Sequence, residues 1–154
     1  MLTPGNILYF NNYYFPNGNT SKPKYLIVLG QQEDSLLVYS LPTSQDKVPD
    51  FWSPTSGCNE SISDGLSFYF FPANKVIASD TSFAFPLNTF LMGEGVDDKS
   101  VEFFTNIYDF SKDCAHVGTL DNNEFIDLLK CFSNSNAVKN KHKKVLRLQL
   151  PAHS

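Results

Sequence analysis

Lys22-Pro23-Lys24-Tyr25-Leu26-Ile27-Val28-Leu29 contains five consecutive apolar residues, Tyr25 to Leu29, with no polar side chain among them. A run this short and this unbroken reads as a strand buried on both faces, and it is far too short to span a bilayer. Residues 30–34 turn the chain, and residues 35–41 return as the next strand. Upstream, residues 6–10 and 13–15 are aromatic and β-branched, as strands prefer. Pro16-Asn17-Gly18-Asn19 separates them from the central run, with Gly and Asn tolerating the positive φ of a tight turn. The first forty residues therefore predict three successive antiparallel strands.

Residues 42–65 carry three prolines and two glycines among many Ser, Thr and Asp, and predict a long loop with Phe51 and Trp52 pinning it to the core. Further strands are expected at residues 66–71, 76–78, 82–85, 89–92 and 101–105. Short strands at this spacing point to a mainly β chain forming a closed or partly closed barrel of six or seven strands. Thr119-Leu120-Asp121-Asn122-Asn123-Glu124 supplies a helix start. Asp121 would cap, Glu124 would reach back as in a capping box, and Leu120 and Phe125 would form a hydrophobic staple. Phe125, Leu129 and Phe132 then share one face, predicting a helix near 121–133 that docks on the barrel. The basic C-terminal segment, 137–150, reads either as Lys-rich helical turns over 137–146 or as a terminal strand over 145–150.

The chain has 154 residues, 42% of them hydrophobic and 14% aromatic, enough for one core, so 1–154 is read as a single domain. It opens Met1-Leu2-Thr3-Pro4-Gly5 without a basic leader, which predicts a cytoplasmic protein, neither secreted nor membrane-spanning. Cys58, Cys114 and Cys131 are odd in number and show no C-x-x-C pair, so reduced thiols are expected. The net charge of −4 hides an asymmetry. Sixteen acids and six lysines precede residue 130, giving −10, whereas residues 130–154 hold five lysines, Arg147 and no acid, giving +6. That end is a candidate surface for a polyanion or simply a solvated lysine face.

Pro4-Gly5-Asn6-Ile7-Leu8-Tyr9-Phe10, then Lys22 to Leu29, then Leu37-Val38-Tyr39-Ser40-Leu41-Pro42-Thr43-Ser44 resemble, in order and spacing, the first three strands of MazF/PemK toxins. The resemblance covers about the first 45 residues. It implies a small SH3-like barrel of the MazF/PemK/CcdB type with a C-terminal α-helix, a homodimer, and an antitoxin protein as partner. It also implies a metal-independent endoribonuclease acting on single-stranded RNA, with no cofactor, through attack of the ribose 2′-hydroxyl. The family's arginine in its basic-Pro motif and its threonine closing strand three match Lys22 and Thr43 here, with Ser44 adjacent. Lys22 and Thr43, helped by Ser44, are thus the implied catalytic residues, and Lys22 and Lys24 the implied RNA contacts.

An ammonium is a point charge that lacks the bidentate fork of guanidinium. It suits phosphate stabilisation, not general base work, and leaves the base unassigned. The departure from arginine favours a rival reading, a non-catalytic module on the same barrel that binds a protein or RNA. Arg147 is the one arginine in the chain and would serve only if folding or dimerisation brought it across. Cys58, Cys114 and His116 do not have the spacing of a structural zinc site. The paired acids at 33–34, 97–98 and 109–113 fall at turn-like positions; Lys22 and Lys24 can equally be exposed charges flanking a turn, and Thr43 and Ser44 can serve a turn through hydroxyl-to-backbone bonds.

Overall fold

The computed structural model describes residues 1–13, 22–42, 53–61 and 66–151. The turn at 16–19, Thr43, Ser44, Phe51 and Trp52 lie outside these residues. The apolar run at 25–29 becomes part of β2 (Lys22–Gln32), the middle strand of a five-stranded antiparallel sheet. Its neighbours are β1 (Asn6–Tyr13) and β3 (Ser35–Pro42), with β9 (Asp97–Ser100) and β10 (Cys114–Thr119) at the edges, in the order β10-β1-β2-β3-β9. Leu26, Ile27, Val28 and Leu29 are all fully buried, alternating between two separate apolar clusters on the two faces. Each such burial contributes roughly 1.5 to 3 kcal/mol before chain entropy is counted.

One face lies under a thick layer. It carries a second sheet, β4 (Gly57–Ser61), β5 (Leu66–Phe71) and β8 (Thr89–Met92), and a small ribbon of β6 (Val76–Ala78) and β7 (Phe83–Ala84). Two helices complete it, α2 (Asn122–Ser133) and α3 (Asn140–Gln149). Ile27, Leu29, Leu37 and Tyr39 meet Tyr69, Phe71, Leu129, Phe132 and Leu146 there. The opposite face is covered by α1 (Val101–Ile107), whose Phe104 joins Leu8, Phe10, Val28 and Tyr108.

Several sequence expectations are corrected. Residues 101–105 form α1, not a strand, because the Ser100 hydroxyl accepts the Phe103 backbone N–H at 3.0 Å and caps a helix start that aromatic β-propensity masks. The expected long loop over 42–65 contains strand β4. Its approach is fixed by the buried Asn59, whose amide donates to the Thr55 carbonyl at 2.7 Å and whose oxygen accepts the Thr55 N–H at 2.9 Å. The turn expected at 30–34 narrows to Glu33 and Asp34, with Glu33 at φ 55°, and Gly30 to Gln32 remain in β2. Gly30 belongs there because a Cβ would sit 3.1 Å from both Val145 Cγ1 and Gln149 Cγ, so its absence lets α3 lie against the strand. Among the described residues, ten strands in three sheets stand where six or seven in one barrel were expected, and their ladders do not close into a barrel.

The helix expected at 121–133 is α2, and the open alternative over 137–150 resolves as helix α3. The capping box does not form. Asp121 makes no side-chain cap bond, and its Oδ1 instead accepts the Ser79 N–H at 2.8 Å and the Ser79 hydroxyl at 2.7 Å. Glu124 turns inward, accepting from the buried Tyr69 hydroxyl and pairing with Lys75 at 3.1 Å. Burial, with the bond to Glu124, pushes the Tyr69 hydroxyl well above its usual range. No helix among the described residues is long and apolar enough to cross a membrane.

Candidate functional site

Lys22 and Lys24 occupy the first positions of β2, two residues apart and therefore on one face. That face is the α1 side, because Leu26 and Val28 continue the same alternation into its cluster. Lys22 is exposed and lies opposite Tyr13 in the β1 ladder; Lys24 is half-buried and lies opposite Phe10 on one side and Pro42 on the other. The strand-two lysines and the end of β3, the residue before Thr43 in the chain, are thus side by side. Burial, then the neighbouring Lys22 cation, pulls the Lys24 ammonium below the usual lysine range. Two cations held this close raise the local positive potential and favour an anion between them. Thr43 and Ser44 lie outside the described residues.

The basic C-terminal segment does not extend this patch. α3 packs on the other face of the sheet and at the far end of β2, against Gly30. About eight strand residues separate Lys22 from that point, roughly 26 Å at 3.3 Å per residue. Arg147 is not brought to Lys22 within the chain: its guanidinium donates to the Ser133 carbonyl at 3.0 Å and fastens α3 to the end of α2.

Two further places hold polar chemistry. His142, 4% exposed, meets Asp98 Oδ2 through Nε2 at 3.0 Å, with Lys141 Nζ 3.3 Å from the same oxygen, beside a cavity of about 160 Å³. The bond to His142, and then Lys141, holds the Asp98 carboxyl below the usual range. His142 is thus an interior clasp between β9 and α3, although lysines surround it in the sequence.

The second place overturns the reading of reduced thiols. Cys58 of β4 and Cys131 of α2 are joined in a disulfide across 73 residues. The bond borders an open groove of about 560 Å³ together with Glu60, Asp127 and Lys130. No spacing rule finds this pair, because an odd cysteine count with no short motif carries no pairing information. Only Cys114 is free among the described cysteines, and burial pushes its thiol up to about 11. Cys58 is therefore not available to join Cys114 and His116 at a metal, and the described residues contain no group of three His, Cys, Asp or Glu side chains able to hold one. His116 instead bonds the Thr119 hydroxyl at 3.0 Å. The acids at 109–113 serve their turn, Asp113 accepting the Asp109 N–H at 2.8 Å.

No family model, curated protein or solved structure matches the chain.

Proposed function

We propose that the chain is a MazF/PemK-like, toxin-type protein, an open relative of the SH3-like barrel, that engages single-stranded RNA at the Lys22 end of β2. The observation that carries this reading is the juxtaposition of Lys22 and Lys24 with the end of β3 at Pro42, the arrangement that strand order and spacing imply for the basic-Pro and threonine positions. Lys22 supplies the cation at the scissile phosphate, and Thr43, helped by Ser44, donates to the developing charge, without metal or cofactor. The half-buried Lys24, with its lowered pKa, adds a second backbone contact. A homodimer and an antitoxin protein as partner belong to the same proposal. One observation favours the alternative, a non-catalytic module that binds RNA or protein: Arg147 is committed to the Ser133 carbonyl on the other face, leaving no guanidinium for the phosphate within the chain.

The deciding experiment incubates purified protein with mixed-sequence single-stranded RNA in EDTA and compares wild type with Lys22→Ala and Thr43→Ala. The enzyme reading expects cleavage that Lys22→Ala abolishes and that Thr43→Ala slows about a hundred- to a thousandfold, the usual cost of one oxyanion donor. RNA binding without cleavage supports the module instead. Cleavage indifferent to both substitutions places the site elsewhere.

A further inference from the structure

The two sulfurs of the disulfide lie in unlike surroundings. Cys58 is exposed on β4, an edge strand, and both cysteines line the open groove of about 560 Å³. Cys131 is 4% exposed, with its Sγ 3.9 Å from the Phe68 carbonyl and its side chain in the main core. Thiol–disulfide exchange requires an attacking thiolate to approach one sulfur from the side away from the other, so access decides which sulfur is attacked. Here that sulfur is Cys58. A leaving thiolate at Cys131 emerges in the last turn of α2, where the helix dipole disfavours negative charge, and Lys130 in that same turn offsets this. Lys130 borders the groove together with the carboxylates of Glu60 and Asp127, so charge does not select the entering nucleophile and access alone distinguishes the two sulfurs.

We propose that Cys58–Cys131 is a thiol–disulfide exchange site that takes an external dithiol at Cys58. The first thiolate of the dithiol bonds to Cys58 Sγ as the S–S bond breaks, and Cys131 leaves as a thiolate that takes a proton from water. The second thiolate of the dithiol then attacks its own bound sulfur and expels Cys58 as a thiolate. Two electrons pass from the dithiol to the protein, the dithiol leaves as its cyclic disulfide, and β4 loses its covalent link to α2. This site is separate from the Lys22 end of β2 and does not depend on the RNA reading.

The test uses the full chain, folded and oxidised. Dithiothreitol is added without denaturant, free thiols are captured with a maleimide at intervals, and labelled cysteines are assigned by peptide mass spectrometry. The bond is expected to open while the protein stays folded, with the buried Cys114 unlabelled as the internal control for folding. Two variants separate the sulfurs. Cys131→Ser, incubated with oxidised glutathione, is expected to form a mixed disulfide at Cys58 at least about tenfold faster than Cys58→Ser forms one at Cys131. Three free thiols in air-isolated protein, opening only in denaturant that also exposes Cys114, or equal trapping at the two cysteines would each overturn the proposal.

Discussion

The two faces of the five-stranded sheet are covered in different ways. On one, α2, α3 and the β4-β5-β8 sheet bring residues from positions 69 to 146 over Ile27, Leu29 and Tyr39. On the other, the seven-residue helix α1 and a few aromatic rings cover Leu26 and Val28, and the same alternation runs out at Lys24 and Lys22. The thick face is where distant parts of the sequence are locked together. Among the described residues, the thin face ends in charge at the Lys22 end of β2, so the candidate site lies beyond the apolar cluster on that face.

The largest effect that would break this contrast belongs to Phe132. Its ring is fully buried at the centre of the thick layer and stacks on Tyr39 at 6.3 Å, while the Tyr39 hydroxyl accepts the Met92 N–H at 2.8 Å. Phe132→Ala is expected to cost about 3 to 5 kcal/mol in chemical denaturation. Phe125, only half-buried on the same helix, should cost clearly less when replaced by alanine. Equal losses at the two positions would mean that the thick layer is not organised around Phe132.

What the sequence made legible follows the same division. Buried runs declare themselves: residues 25–29 and 68–71 lie within strands, because backbone buried on both faces demands apolar side chains whatever the tertiary context. The edge strands of the five-stranded sheet do not. Asp97-Asp98-Lys99-Ser100 and Cys114 to Thr119 carry few apolar residues, since an edge borders solvent and its pairing comes from backbone bonds that no side chain advertises. α1 was hidden because Phe103 and Phe104 suit a strand as well as a helix, and a single serine hydroxyl tips the balance. At the candidate site, the lysines and their spacing were readable, but the face they share depended on the alternation of a whole strand. The disulfide was not readable at all, because its partners meet only once β4 has been laid beside α2.

Next in size is the covalent tie on the thick face. A cross-link across 73 residues removes much of the unfolded chain's freedom, and reduction is expected to lower stability by about 2 to 4 kcal/mol. Paired melts with and without reductant measure it, and for a chain of this length the shift is on the order of 10 °C. A melting temperature unmoved by complete reduction would show that packing alone fastens β4 to α2.

A smaller effect tests the clasp between α3 and the edge strand β9. The His142 bond, and then Lys141, holds the Asp98 carboxyl below its unfolded range, so its stabilisation is present above the ordinary Asp pKa and is lost as pH falls through the lower folded value. The Asp98 side chain is 43% exposed, and screening keeps the contribution below about 1 kcal/mol. Asp98→Asn should therefore show a small deficit at pH 7 that shrinks below about pH 4. A deficit that grows on acidification would reverse the assignment.

The smallest expected effect decides whether the Lys22 end of the thin face is free of structural duty. Lys22 is exposed, and its substitution should change stability by no more than about 0.5 kcal/mol. The sign can be argued further. Burial and the Lys22 charge both lower the Lys24 pKa, which means that the folded state tolerates the Lys24 cation less well than the unfolded chain does. That penalty is fully present at neutral pH, where the group is charged in both states, and it fades as pH rises through the lowered folded value, to be gone above the ordinary lysine value of about 10.4. Lys22→Ala removes one of the two causes, so it should be neutral or slightly stabilising at pH 7, with the difference vanishing in strong alkali. The same substitution should reduce the salt dependence of RNA binding by about 0.7 in log–log slope, the share of one phosphate contact on a single strand. Denaturation curves and binding isotherms on one pair of proteins measure both. A stability loss well beyond 0.5 kcal/mol would make the basic end part of the packing and remove the contrast between the faces, whereas an unchanged salt slope would take Lys22 out of the RNA path.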